Sequence, residues 1–160
     1  MVNDLFFALT LFAALGCGLM SGLFLIFSNT VMSALAQLPP SQGIAAMQAI
    51  NRIILNPLFF VAFLGTAATS ITVLISLAWR WQQPGTLYLL VGSLLYLGGV
   101  MVVTVIFNVP MNESLDAMEP ESVEAANLWA KYLVDWTAWN HVRTVTALLG
   151  TASFILALVA

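Results

Sequence analysis

Four long apolar runs constrain the fold of this chain more than any other feature. They extend from about Leu5 to Phe27, Pro57 to Trp79, Thr86 to Phe107 and His141 to Ala160. Each is close to the roughly 20 residues that a helix needs to cross a bilayer. Backbone polar groups in lipid must pair within the protein, which favours helices over strands. We therefore predict an all-α fold, a four-transmembrane-helix bundle in a multi-pass integral membrane protein.

Composition supports the same class. Only 7% of residues are charged, 61% are hydrophobic, and the mean hydropathy is +1.00. The length of 160 residues predicts a single membrane domain, with the lipid bilayer as its surroundings: the plasma membrane, or the inner membrane if the protein is bacterial. The first run lacks a preceding basic region, so we interpret it as a retained helix and not a signal peptide. Without a basic patch, nucleic acid is excluded as a partner, whereas a homo-oligomer stays open.

The connections between the runs differ in length. A short turn, Arg80–Gly85, joins the second run to the third. The two long connections, at about 28–56 and 108–140, lie together on the opposite side of the membrane. Each is predicted to contain a short helix. One covers about Gly43–Leu55 with Ser41 as its N-cap, and the other opens at Glu119–Ser122 and continues through Trp136.

An internal repeat is visible at an offset of about 80 residues. Matched pairs include Gly18 with Gly98 and Phe27 with Phe107. Many such matches arise by chance in so apolar a chain, so a duplication with halves 1–80 and 81–160 is a hypothesis. In that register Asn140, His141 and Arg143 stand where the first half has apolar residues.

Polar side chains gather where the apolar runs meet the long connections. Such groups are costly beside hydrocarbon unless they pair or serve a function. If the bundle closes at this face, they surround a common vestibule. The candidates are Asn29, Asn51, Arg52, Asn56, Asn108, Asn112, Glu113, Asp135, Asn140, His141 and Arg143.

The segment Asp135–Thr144 is the densest part of this cluster. On a helix, Trp136, Asn140, Arg143 and Thr144 share one face by their spacing. Trp139 and Arg143 are four residues apart, which allows a cation–π contact. His141 points away from Arg143, so one helix cannot bring both to a ligand unless it begins between them.

Most of these residues also have a purely structural interpretation. Arg52 and Arg143 could anchor helix ends at headgroups, or pair with Asp135 or Glu113. The Trp and Tyr residues could form an aromatic belt, and His141 could bond to backbone at a helix start. The asparagines are harder to explain this way, because Asn in membranes usually bonds across helices.

Metal chemistry is not predicted. A single His with no second His or Cys nearby argues against haem, zinc and copper sites. A carboxylate-bridged metal at Glu113, Asp116 and His141 is conceivable, but the spacing of these residues is not diagnostic.

The segments Asn108-Val-Pro-Met-Asn112 and Trp136–Thr144 resemble the DUF1772 family, also called the anthrone oxygenase-like family. The order and length of the four apolar runs fit that family over essentially the whole chain. Its members include proteins that oxidise anthrones to anthraquinones without a recognised cofactor, although most have no established activity. The resemblance implies an oxidoreductase that acts on a lipophilic aromatic ketone with O2 and needs no cofactor.

The resemblance also implies roles for residues. His141 is then the candidate base, and Arg143 with Asn140, Asn108 or Asn112 stabilises an enolate. Trp136 and Trp139 line the pocket, and Asn29, Arg52 and Asn56 complete the predicted substrate-binding set. The alternative function is a non-catalytic membrane protein that binds a small lipophilic ligand or serves as a transport or assembly component.

Overall fold

The computed structural model of the chain describes residues 2–160, and the structure in this range is helical with no strand. Four of its helices are long and apolar enough to cross a membrane, which confirms the predicted all-α membrane fold. The helices, labelled in chain order, are α1 at residues 2–35, α2 at Pro40–Ile53, α3 at Pro57–Arg80, α4 at Thr86–Asp116 and α5 at Val123–Val159.

Local chemistry sets several helix starts. The Asn56 side chain accepts a hydrogen bond from the Phe59 backbone N–H at 3.1 Å, and Ser122 caps α5 by accepting from Ala125 at the same distance. Such caps satisfy N–H groups that have no partner within the helix. The predicted cap at Ser41 is wrong. Helix α2 begins one residue earlier, because Pro40 fits the first helical position, where no N–H is needed.

Two helices extend further than the apolar runs indicated. Helix α1 continues through Asn29 to Leu35 by way of a wide, π-type turn at Phe27–Val31. Helix α4 continues past Asn108 to Asp116, with similar wide turns at Leu95–Val102 and Thr104–Asn108. Wide turns let a helix absorb a local distortion and continue. The ends that the apolar runs predicted for these two helices, at about Phe27 and Phe107, are therefore wrong.

The separate short helix predicted after Ser122 is also wrong. Residues Val123–Val159 form one continuous helix of 37 residues. No Gly or Pro occurs between Ser122 and Gly150 to interrupt it. The polar residues in that stretch mark a helical face and not a loop.

Helices α1 and α5 form an antiparallel pair at the centre of the bundle, with α3 against α1 and α4 against α5. Helix α3 packs on the first part of α4, residues 86–102, and diverges from α4 beyond that point. Helix α2 lies across the far end of the bundle against α4 and α5. The predicted repeat halves, 1–80 and 81–160, stay a prediction.

The buried apolar residues form two clusters. The membrane core lies within the bundle and includes Met20, Val73, Tyr96 and Phe154. The cap lies at the far end and includes Met32, Ile44, Met47, Leu115, Trp129 and Tyr132. Helix α5 is roughly 55 Å long at 1.5 Å per residue, against a hydrocarbon core of roughly 30 Å. The cap therefore projects from the hydrocarbon.

Candidate functional site

A cavity of about 260 Å³ lies where the membrane core meets the cap, and all five helices contribute to its wall. This volume is near the lower end of the roughly 300–1,000 Å³ range of small-molecule sites. The wall is mainly apolar and rich in aromatic rings. The aromatic residues are Phe24, Phe27, Phe59, Phe60, Phe63 and Trp136.

Arg143 is the one charged residue in this wall, and its side chain is buried. Its Nη1 donates to Thr104 Oγ1 at 3.2 Å, and its Nη2 donates to Asn140 Oδ1 at 2.6 Å. The guanidinium carbon lies 4.4 Å from the centre of the Phe24 ring and 5.3 Å from that of Trp136. These ring faces attract the cation, so the two hydrogen bonds and the two rings together hold the guanidinium in place.

The predicted cation–π contact between Trp139 and Arg143 is wrong. Trp139 stacks instead on Phe107 of α4, with ring centres 3.6 Å apart. Trp136, one turn earlier on α5, takes its place beside the guanidinium. The neighbouring helix decides which Trp faces the cavity.

The ion pairs suggested for the arginines also differ from those observed. Arg52 pairs with Asp116 at 3.0 Å, and Asp135 lies 4.0 Å from Lys131 on its own helix. None of the residues that line the cavity carries a carboxylate to balance Arg143. A buried charge without a counter-charge is destabilising. The headgroup-anchor interpretation therefore fits the exposed Arg52 and not Arg143.

Asn140 connects Arg143 to α1. Its Nδ2 donates to the Phe24 carbonyl at 2.7 Å and to Ser28 Oγ, while its Oδ1 accepts from Arg143. The amide is fully buried. The predicted shared face of α5 is confirmed, because Trp136, Asn140, Arg143 and Thr144 are all buried.

Asn108 and Asn112 attach α4 to α5. Asn108 is 1% exposed and donates from Nδ2 to the Trp136 carbonyl at 3.2 Å. Asn112 Oδ1 accepts from Tyr132 Oη at 2.8 Å and from Trp136 Nε1 at 2.7 Å. Both asparagines line the cavity. The indole and the amides therefore hold one another in fixed positions.

Unsatisfied polar atoms concentrate at the cavity. Within residues 4–160, six buried side-chain atoms make no hydrogen bond, and three belong to residues of the cavity wall: Asn51 Nδ2, Asn108 Oδ1 and Arg143 Nε. The other three are hydroxyls of Ser70, Ser93 and Thr137. Native proteins satisfy most buried polar groups, so these three atoms are free to bond to a molecule in the cavity.

The anthrone oxygenase family model matches residues 58–153. The chain belongs to the anthrone oxygenase family. No curated protein and no solved structure matches it. The family match confirms the resemblance and spans α3, α4 and most of α5, including Arg143, Asn140 and Asn108. Helices α1 and α2, which supply Phe24 and Asn51, precede the matched region.

Five of the residues predicted for the site do not line the cavity of this family member. Asn29 is exposed on α1, Arg52 is in its exposed ion pair, Asn56 caps α3 and Trp139 stacks on Phe107. His141 is exposed on the outer face of α5. Arg143 is two positions further along α5, which is roughly 200° around the helix. The roles predicted for these five residues stay predictions, and the position of His141 gives its role as base no support.

Several residues of the wall could not be recognised from the sequence. Asn51 was one of the polar candidates, but no role was predicted for it. Thr104 was not predicted at all, because Thr is common in membrane helices and does not by itself indicate a site. The five phenylalanines of the wall gave no signal either, since an apolar side chain that faces a cavity looks in the sequence like one that faces lipid. Only the rotation of each helix about its own axis determines whether such a side chain faces the cavity or the lipid.

The arrangement is suited to hold a flat, lipophilic molecule beside a fixed cation. No group of three His, Cys, Asp or Glu side chains within residues 4–160 could hold a metal ion. Glu113 and Asp116 lie exposed on α4, away from His141. The polar chemistry of the wall comes from one guanidinium, four amides and a hydroxyl, namely Arg143, Asn51, Asn108, Asn112, Asn140 and Thr104.

Proposed function

We propose that the protein is a membrane-embedded oxygenase that uses O2 to oxidise a lipophilic aromatic ketone of the anthrone type. The observation that carries the proposal is the buried, uncompensated guanidinium of Arg143 in the wall of an aromatic cavity. Family membership supports the class of reaction. The cavity supports the class of substrate.

The reaction balances with O2 as oxidant. A CH2 group between two aromatic rings loses a proton and becomes an enolate. One electron passes from the enolate to O2, and the resulting carbon radical and superoxide combine into a peroxide. Loss of the second proton with cleavage of the O–O bond leaves a new carbonyl. The sum is one anthrone and one O2 giving one anthraquinone and one water.

In this proposal Arg143 stabilises the enolate oxygen. Fixed donors in a site with little water stabilise developing negative charge without reorganising during the reaction. Asn140 and Thr104 hold the guanidinium through two hydrogen bonds, so Asn140 is a positioning residue. Rings such as Phe24, Phe59 and Phe63 supply faces for a planar substrate.

In this proposal the mouth of the cavity opens to the bilayer. Helices α3 and α4 diverge there, and exposed apolar side chains from both helices lie along the opening. They are Phe60 and Leu64 on α3 and Val105 and Val109 on α4. Aromatic ketones and O2 both dissolve in hydrocarbon, so both reach the cavity from the membrane.

Anthrone oxidation by the purified protein tests the proposal. Oxygen uptake and anthraquinone absorbance are measured for wild type, Arg143→Gln and the control Lys131→Gln, which removes a positive charge from an exposed position. Wild type should consume one O2 per anthraquinone. Arg143→Gln should be slower by about 100-fold or more, the usual effect of removing one oxyanion donor. A wild-type rate equal to the uncatalysed rate would contradict the proposal.

The variant His141→Ala distinguishes the sequence-based prediction, in which His141 is the base, from the structure, in which His141 lies outside the cavity. Because His141 lies outside the cavity, the variant should oxidise anthrone at the wild-type rate. A folded variant with no activity would assign the base to His141 and refute the placement of the substrate beside Arg143. Circular dichroism of the detergent-solubilised variant checks that it is folded.

One observation favours the alternative of a non-catalytic binding protein. The cavity wall contains neither a His nor a carboxylate to accept the substrate proton. Thermal stabilisation by anthraquinone, without anthrone turnover, would support that alternative.

A further inference from the structure

We propose that the cavity takes up its aromatic ligand as an oxyanion that has already formed outside it, a phenolate or an enolate. The wall then stabilises the anion and does not generate it. This inference rests on the proposed function for the reaction that follows, but binding of the anion can be measured without any reaction.

The charge of Arg143 is the first reason. Its partners are neutral: an amide oxygen, a hydroxyl and two ring faces. A neutral ligand would cover this cation and leave it without a counter-charge. An anionic ligand would supply the counter-charge in surroundings where a charge pair interacts more strongly than in water. The unpartnered Nε of Arg143 offers a donor for it.

The lack of a proton acceptor in the wall is the second reason. Amides and hydroxyls are not bases at neutral pH. Apart from Arg143, the polar residues that line the cavity are of these two types. A neutral ligand that entered could not transfer its proton to any of them. The proton must therefore leave the ligand before it is seated, at the membrane surface or in water.

Other titratable groups near the site are engaged or outside it. Tyr132 on α5 donates to Asn112, and Tyr96 on α4 donates to the Phe63 carbonyl at 2.9 Å. Cys17 on α1 is buried in the membrane core, away from the wall. The remaining groups on the neighbouring helices are exposed or partly exposed: Asp4 on α1, Arg52 on α2, Arg80 on α3, Tyr88, Glu113 and Asp116 on α4, and Glu124, Lys131, Asp135 and His141 on α5.

The wall favours an aromatic anion over a fatty acid. Phe24 of α1 and Phe59, Phe60 and Phe63 of α3 contribute aromatic rings to the wall, and Phe59 and Phe63 are stacked with ring centres 5.2 Å apart. A volume of about 260 Å³ suits a compact ring system better than an extended acyl chain.

Binding of a matched ligand pair tests the inference. The protein is placed in phosphatidylcholine nanodiscs under argon, and the affinities for 2-hydroxyanthraquinone and 2-methoxyanthraquinone are measured from acidic to alkaline pH. Neither compound is an oxidation substrate, and only the first can become an anion. Its affinity should rise by about tenfold or more across its own pKa, while that of the ether stays constant.

Two variants locate the effect. Arg143→Gln should abolish the pH-dependent rise, and Lys131→Gln, which removes an exposed positive charge, should keep it. If Arg143→Gln does not fold, the comparison of phenol and ether on wild type decides alone. An affinity for the phenol that is constant or falls with rising pH would overturn the inference. Oleate binding as tightly as the phenolate would overturn its aromatic part.

The outcome is separable from that of the proposed function. If anthrone is not oxidised but the phenolate binds in the predicted way, the oxygenase proposal fails and the anion site stands. If anthrone is oxidised but only the neutral form binds, the oxygenase proposal stands and this inference fails.

Discussion

The two ends of the membrane bundle satisfy their buried polar groups in different ways. At the packed end, towards the Arg80–Gly85 turn, hydroxyls donate to carbonyls of their own helix four residues earlier: Thr10 to Phe6, Thr69 to Gly65, Thr151 to Ala147 and Ser153 to Leu149. At the cavity end, side-chain amides bond between helices: Asn140 to Phe24, Asn108 to Trp136 and Gln48 to Leu115.

This difference shows what holds each end together. A hydroxyl bonded within its own helix does not fix the distance to a neighbour, so the packed end depends on close approach of small residues. An amide bonded between helices sets that distance directly. The cavity end can therefore keep an open space among its helices.

Replacing an amide of the cavity end should have the largest effect on stability. Asn140→Leu removes the bonds to Phe24 and Ser28 and leaves Arg143 with an unsatisfied donor. We expect a loss of about 2–3 kcal/mol, since each unsatisfied buried group costs about 1–3 kcal/mol. Thermal unfolding in detergent measures it.

The matched control for that variant is Thr151→Val, which removes a bond within one helix at the packed end. It should cost about 1 kcal/mol or less, because the net value of such a bond is small. Equal losses in the two variants would remove the distinction between the ends.

Close packing at the middle of the bundle should be the next most sensitive feature. A Cβ at Gly99 would lie 2.4 Å from Thr146 Cβ, so Gly99→Ala should cost about 1–3 kcal/mol through overpacking. Gly98 is its control, because a Cβ there meets nothing within 4 Å. Gly98→Ala should be neutral, or stabilising by up to about 1 kcal/mol through helix propensity. A Gly99→Ala protein as stable as wild type would show that the helices are not held this closely.

The exposed ion pair at the surface should matter least. Arg52→Gln breaks the contact with Asp116, and both side chains are largely exposed, at 62% and 45%. Such pairs contribute about 0–1 kcal/mol and are screened by salt. Melting temperatures at low and high salt should differ little from wild type. A large loss would mean that Arg52 has a role the structure does not show.

Much of the bundle could be predicted from the sequence. Run length gave the four spans, because the bilayer thickness fixes the helix length. Residue spacing gave the buried face of Trp136, Asn140 and Arg143, because helical periodicity does not depend on the neighbours. Both predictions depend only on the geometry of a single helix, namely its length and its periodicity.

What the sequence could not predict depends on contacts between helices. The stretch before His141 was predicted as a separate short helix within a connection, although it is the first part of α5 and packs in the cap. The choice of Trp136 over Trp139 beside Arg143 depends on Phe107 of α4. The divergence of α3 from α4, which opens the cavity, cannot be recognised in the sequence of either helix alone.

An experimental structure of the protein with 2-hydroxyanthraquinone tests the central claim most directly. We expect density for the ring system in the cavity between α3 and α5, with an oxygen within hydrogen-bond distance of Arg143. Density on the outer face of α5 beside His141, with the cavity empty at saturating ligand, would contradict it.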